Sequence, residues 1–283
     1  MFAPENQIFY TSVEDVLVEP KAEAFEVNIL SNVVENGLGV ITFDAAVKSI
    51  GDEAFQFIGT LLSVTLPSGL ERIGFSAFDG TSISEFTLPN SVTAVDDSAF
   101  WNCHNLQRFS GKFASEDGRC LIVGGVLKAI AAAALTEYTI PDGVETIGPN
   151  ILGWDIDLEK ISLPNSVKRI CDSAFEDCQT LECVELNEGL EILEDFALMG
   201  IENLESITIP STVKKIGNSI FYGCFALERV EFLATEPAEI SENFALGVEM
   251  IDVVVVPQES VEAYRTAKGW TNIADKIVGN KDI

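Results

Sequence analysis

The sequence predicts a β-rich α/β solenoid: an array of coils of about 23 residues whose short strands align in a parallel sheet, with an N-terminal β cap and a C-terminal helical cap. Three observations predict it. One apolar template recurs along most of the chain, seen in Leu158, Ile161, Leu163, Val167, Ile170 and Phe175 around Pro164. With that proline as origin, the frame falls at Asp44, Pro67, Pro89, Lys112, Pro141, Pro164, Asn187, Pro210, Leu233 and Pro257, at spacings of 23, 22, 23, 29, 23, 23, 23, 23 and 24 residues. Finally, 47% of the 283 residues are hydrophobic and 22% charged, enough apolar surface for a large core.

Each coil follows from what its residues can do. Spacing by three and then two, as in Leu204, Ile207 and Ile209, fits a turn running into a short strand whose alternate residues face inward. One such strand buries too little to stand alone, and stacked coils merge their inward rows into a continuous core. Proline ends the strand because it lacks a donor and fixes φ, and turn formers such as Ser68-Gly69, Asn90-Ser91 and Asp142-Gly143 follow it.

Residues 1–37 precede the frame and are expected to form the N-terminal cap. Ile8–Thr11 and Val16–Val18, separated by Ser12–Asp15, read as a hairpin, and Phe25 to Leu30 as further apolar cover. The solenoid runs over 38–257, with Phe55, Phe78, Phe100, Leu152, Phe175, Leu198 and Phe221 in a large-residue slot where each should stack on the next. One interval is about six residues longer than the rest, and an insertion at 113–134 fills it. There Cys120–Val123, Gly124-Gly125 and Val126–Ile130 read as a β-hairpin, apolar on both faces and expected either to fold back over adjacent coils, the favoured reading, or to meet a partner. Residues 258–283 form the expected helical cap: Ser260 as N-cap, a helix through Val261, Tyr264 and Ala267, Gly269 as stop, and Trp270, Ile273 and Ile277 closing the last coil. A regular array crosses every plausible boundary, which gives one elongated domain with terminal caps.

Phrases such as SIGDEAF (49–55), RIGFSAF (72–78), KRICDSAF (168–175) and KKIGNSIFYGC (214–224) resemble the BspA-like leucine-rich repeats of bacterial surface proteins. The likeness covers roughly 38–257, and VVVVPQESVEAYRTAKGW (253–270) looks like the strand and capping helix that close such domains. It implies a right-handed leucine-rich-repeat-type array and a noncatalytic module, extracellular or on the cell surface, that binds a protein or glycan. A structural spacer in a larger envelope assembly is the alternative. One departure stands out. The slot three residues past the last strand leucine, usually a buried Asn, holds Gly69, Ser91, Gly143, Ser166, Gly189 or Thr212.

Seventeen basic residues against 45 acidic ones leave a formal charge of −28. That field repels nucleic acid phosphates and anionic membranes, while a basic protein surface, a divalent cation or a neutral glycan remains compatible with it. No run approaches the roughly 18 apolar residues of a membrane span, so a soluble chain without membrane insertion is expected. The start, MFAPENQIFY, lacks a basic region followed by an apolar one, so any export signal is expected to have been trimmed or never present.

Candidate chemistry is sparse. His104, the one histidine, lies in the turn NCHN and reads as a solvated turn residue, since a zinc triad or nucleophilic relay needs partners the pattern does not supply. Cys103, Cys178 and Cys224 share a slot three after the large residue, where other coils hold Ile58, Thr81, Asp155 and Ile201, and read as small buried hydrophobes. Cys103 and Cys178 lie about three coils apart, on the order of 14 Å, too far for a disulfide. Cys171, Cys178 and Cys183 lack paired metal-ligand spacing, so no metal, cofactor or catalytic residue is expected.

The outward strand positions are the candidate ligand-binding face. Two residues before each origin runs a hydroxyl-rich row including Thr42, Thr65, Thr87, Ser110, Thr139, Ser162, Glu185, Thr208 and Glu231, and four before it lie Glu85, Arg108, Glu137 and Lys160. Glu85, Thr87, Arg108, Glu137, Thr139, Lys160 and Ser162 are the site residues this reading selects. The same opposite charges on adjacent strands also stabilise pairing. Phe57, Trp101, Trp154 and Tyr222 follow the large residue and are expected to pack over neighbouring turns; exposed together they would suit a sugar ring or a protein anchor.

Overall fold

A computed structural model describes residues 2–154, 156–241, 244 and 250–282. The chain forms two compact units, Met1–Ala134 with Asn150–Gly153, and Leu135–Pro149 with Trp154–Ile283.

The first unit opens with three strands, β1 (Gln7–Ser12), β2 (Ile29–Glu35) and β3 (Leu38–Phe43), in a four-stranded sheet of order β2, β3, β1 and Leu61–Thr65. β1 runs antiparallel to both neighbours, with Phe9 opposite Val40 on one side and Thr65 on the other. The expected hairpin between 8–11 and 16–18 is therefore wrong. Glu14 and Asp15 adopt left-handed φ of 51° and 57°, which turns the chain out of register, and Val16–Val18 forms no strand. The hairpin that exists joins β2 to β3 through Asn36-Gly37, both at positive φ, the turn whose twist matches that of the strands.

Beyond the cap the coils stack in parallel. Glu85–Leu88 pairs with Arg108–Gly111, and a second ladder of two-residue strands joins Ser49–Ile50, Arg72–Ile73 and Ala94–Val95. Between them lies the core. The Phe55 and Phe78 rings stack at 5.2 Å with 5° between planes, and Phe78 and Phe100 at 5.6 Å and 7°, while Phe86 meets the last two edge-on. Two residues before the large slot, the backbone is left-handed in every described coil: Glu53, Ser76, Ser98 and Asn150 here, Ser173, Phe196 and Ser219 in the second unit. The turn side is thus built on a conformation that side chains other than glycine adopt uncommonly.

The insertion forms an antiparallel hairpin, Cys120–Val123 with Val126–Ile130, turned by Gly124-Gly125 at φ of 60° and 80°. It folds back: Leu121, Ala129 and Ala131 join the core of the first unit, Ile122 N–H donates to Phe113 O at 2.8 Å, and Lys128 pairs with Asp97 at 2.5 Å.

In the second unit Glu137–Thr139, Lys160–Ser162 and Cys183–Glu185 form one parallel ladder, and Ser206–Ile209, Arg229–Phe232, Val253–Val256 and Ile277–Gly279 another. Phe175, Leu198 and Phe221 fill the large slot without exposure. Ile277 stands opposite Val254, so the C-terminal cap keeps the coil period while α1 (Val261–Thr266) replaces the turn. Trp270 and Tyr264 seal the end against Phe232, with Trp270 Nε1 donating to Ala238 O and Tyr264 OH to Ala234 O, each at 3.0 Å. Ser260 is not the expected cap. It is buried in a short 3-10 turn and its hydroxyl makes no capping bond.

In two coils a hydroxyl in the slot of the missing asparagine bonds the coil before. Ser91 Oγ donates to Leu70 O at 2.5 Å and Thr212 Oγ1 to Leu190 O at 2.7 Å, each reaching the preceding coil and satisfying a turn carbonyl there.

Candidate functional site

The strand face of each unit presents the outward residues, because alternate side chains leave the sheet on opposite sides. In the first unit Glu85 and Thr87 stand opposite Arg108 and Ser110, and Thr87 Oγ1 meets Ser110 Oγ at 2.7 Å. Among the described residues Glu85 and Arg108 form no ion pair; the Arg108 stem lies instead over Gly118, whose missing side chain leaves room for it. The hydroxyl row is also interrupted. Thr42 faces Gln7 and Thr65 faces Phe9, since β1 lies between the strands that carry them. β1 adds Gln7, Phe9 and Thr11 to this face, with Thr11 Oγ1 2.6 Å from Ser63 Oγ.

In the second unit the register aligns Glu137, Lys160 and Cys183 in one row and Thr139, Ser162 and Glu185 in the next. Glu185 is the hub. Lys160 Nζ forms an ion pair with it and Ser162 Oγ donates to its other oxygen at 2.5 Å. These two bonds hold the Glu185 carboxyl below the usual carboxylate range, and the bond to Glu185 raises Lys160. The ladder then breaks, for Cys183–Glu185 and Ser206–Ile209 belong to separate sheets. A depression of about 280 Å³ lies there, lined by Cys183, Glu185, Leu186, Thr208, Pro210 and Leu233. Leu233 is exposed where most coils carry proline.

The remaining candidates resolve as packing. Cys178 and Cys224 are buried, Cys103 is half-buried, and Asp155 of the same slot lies outside the described residues. Cys103 Sγ donates to Phe78 O and Cys224 Sγ to Leu198 O, both at 3.1 Å, so these two cysteines bond the large residue of the coil before. Burial pushes both thiols up to about 12. His104 is half-buried against Gly153 and not simply solvated. Its neighbour Asp79 is only 1% exposed; Gln56 Nε2 and Asn102 Nδ2 donate to its two oxygens at 3.0 and 3.3 Å, and burial raises its carboxyl despite them. Of the four turn aromatics, Trp101 is half-buried, while Phe57, Trp154 and Tyr222 are exposed. No group of acidic, cysteine and histidine side chains among the described residues could hold a metal ion.

The sequence profile of the BspA type leucine rich repeat region matches in six copies over residues 9–115 and 128–244. No curated protein matches the sequence. Among solved structures, the chain is similar to a leucine rich cell surface protein from Faecalibacterium prausnitzii, at 24% identity and a TM-score of 0.62 over 80% of this chain and 59% of that one. It is also similar to the pneumococcal vaccine antigen PcpA, at 18% identity and a TM-score of 0.63 over 82% of this chain and 64% of that one. The chain thus spans less than two thirds of either structure, and at these identities the likeness shows the fold. With the profile matched over most of its length, the chain belongs to the BspA-type leucine-rich repeat family.

Proposed function

We propose that the chain is a noncatalytic repeat module of a bacterial cell-surface or secreted protein, and that it binds a protein or glycan through the strand faces of its coils. The observation that carries this reading is the ordered polar face. Thr87 with Ser110, and Lys160 with Ser162 and Glu185, hold donors and acceptors on rigid strands, where they need no reorganisation to meet a ligand. Glu85 and Arg108 extend that face in the first unit, as Glu137 and Thr139 do in the second. Family membership, and a similar structure described as a cell surface protein, support the location.

A glycan array, together with a pull-down from host and envelope extracts, tests the proposal. A saturable ligand is expected. If it is a basic protein its affinity falls steeply with salt, and if it is a neutral glycan its affinity barely changes. A structural spacer gives no ligand in either format, and tight binding to duplex DNA at physiological salt would overturn the charge argument.

A further inference from the structure

The two units treat their outermost strands differently. In the second, the last strand of the sheet is Ile277–Gly279. Asn280 N–H donates back to Val256 O, so by alternation the backbones of Ile277 and Gly279 point away from the sheet. Both are covered: Arg265 Nη2 donates to Ile277 O at 2.6 Å, and Asp282 accepts from Gly279 N–H at 3.3 Å. That edge is short and its polar groups are engaged, which is how proteins prevent strand addition.

The first unit ends on β2. There a bulge between Ile29 and Ser31 confines the regular edge to Ser31–Glu35, and Asn32 bonds Val18 O through its side chain, but among the described residues the outward backbone groups of Asn32 and Val34 are not engaged in this way. The strand is seven residues long and β3 is its one hydrogen-bonded neighbour. Glu35 and Leu38 flank a two-residue turn and so form a hydrogen-bonded pair. Counting back, Val33 and Ser31 face β3, while the N–H and C=O of Asn32 and Val34 point off the sheet. The strand, ILSNVVE, contains no proline or lysine and one charge, Glu35. Leu30 is 66% and Val33 46% exposed, and Val33 continues across the outer face through Val40 and Phe9. The edge therefore offers backbone pairing and an apolar stripe together.

Charge chooses the occupant. The first 47 residues hold eight carboxylates and one lysine, so a second copy would bring the same negative charge to the edge, whereas a basic segment would be drawn to it. Resting on the protein-binding reading above, we propose that β2 is a strand-addition site for an extended basic segment of a protein partner, in which apolar residues alternate with lysine or arginine.

The test uses the full chain and three labelled ten-residue peptides: alternating valine and lysine, the same with glutamate for lysine, and the lysine peptide N-methylated at alternate residues. The lysine peptide is expected to bind and to protect the amides of Asn32 and Val34 from hydrogen exchange. Glutamate, N-methylation, and Val33→Lys in the protein are each expected to weaken binding by about tenfold or more, through lost attraction, lost pairing and added repulsion respectively. Val33 is an exposed side chain, so that variant keeps the fold. Protection confined to other strands, equal binding of the N-methylated peptide, or a concentration-dependent dimer abolished by Val33→Lys would overturn the proposal. Should it fall while a ligand from the array or pull-down still binds, the edge assignment alone is lost; if no ligand binds in any format, the binding reading falls with it.

Discussion

Truncating Phe78 probes the inward stack at its most connected point. The side chain has no exposure, lies between the parallel rings of Phe55 and Phe100, and receives Phe86 edge-on at 4.9 Å. Removing a buried phenylalanine costs about 3 to 5 kcal/mol in burial and cavity terms. Each aromatic pair adds about 0.5 to 1.5 kcal/mol, and because the three share one ring the sum is not additive. Phe78→Ala is therefore expected to lose about 4 to 6 kcal/mol. Phe175→Ala, in the same slot but without a ring partner among the described residues, should fall at the lower end of the 3 to 5 kcal/mol range. Thr208→Ala, exposed on the strand face, should stay within about 0.5 kcal/mol of the parent. Urea unfolding followed by circular dichroism reads all three. Equal losses for Phe78→Ala and Thr208→Ala would refute the assignment of inward and outward rows.

Other outcomes follow from the same contacts. Asp79 is buried with its carboxyl raised, so the folded state binds a proton more tightly than the unfolded one, and stability falls as pH rises from the ordinary carboxylate value through the raised one. His104 and Glu53 act on that group with opposite signs. Asp79→Asn should remove this loss, because a flipped Asn102 can then accept from the new amide; its melting temperature should exceed the parent's increasingly as pH rises above the ordinary carboxylate range, and a constant offset would contradict the argument. Replacing Ser115–Ala132 by a short Gly-Ser turn should lower the melting temperature markedly, since Leu121 and Ala129 leave the core; unchanged melting would mean the hairpin carries no packing. Aromatic disulfide reagents at about pH 8 should modify Cys171 and Cys183 in the native protein and reach Cys178 and Cys224 only on unfolding, the latter pair being buried with raised thiol values. Fast native modification of Cys224 would contradict its buried slot.

Where a residue's place depends on its own coil, the sequence was readable. The large slot, the cysteine slot and the outward hydroxyls lie where period and alternation put them, because every coil repeats the same local constraint. The N-terminal cap was not readable in the same way. Its hairpin signal, Asn36-Gly37 between two apolar runs, is present in the sequence, but no local rule places β1 between β3 and Leu61–Thr65. That placement is long-range, set by which open edge a free strand can reach. The role of Glu185 is similar. Its position in the outward row was legible, but its bonds to Lys160 and Ser162 depend on side-chain reach across a register that composition does not specify. Phe196 in a left-handed slot occupied elsewhere by Ser, Asn or Glu has no signal in the period either.

The central claim is that ligand is met on the strand face and not on the turn side. The most direct measurement compares two sets of variants against whichever ligand the array or pull-down yields. Thr87→Tyr and Thr139→Tyr crowd the strand faces of the two units, and Phe57→Ser and Tyr222→Ser remove exposed turn aromatics. With melting temperatures unchanged in all four, the account predicts that one or both face variants lose binding while both turn variants keep it. Retained binding in both face variants, with loss in Phe57→Ser or Tyr222→Ser, would place recognition on the turns and contradict it.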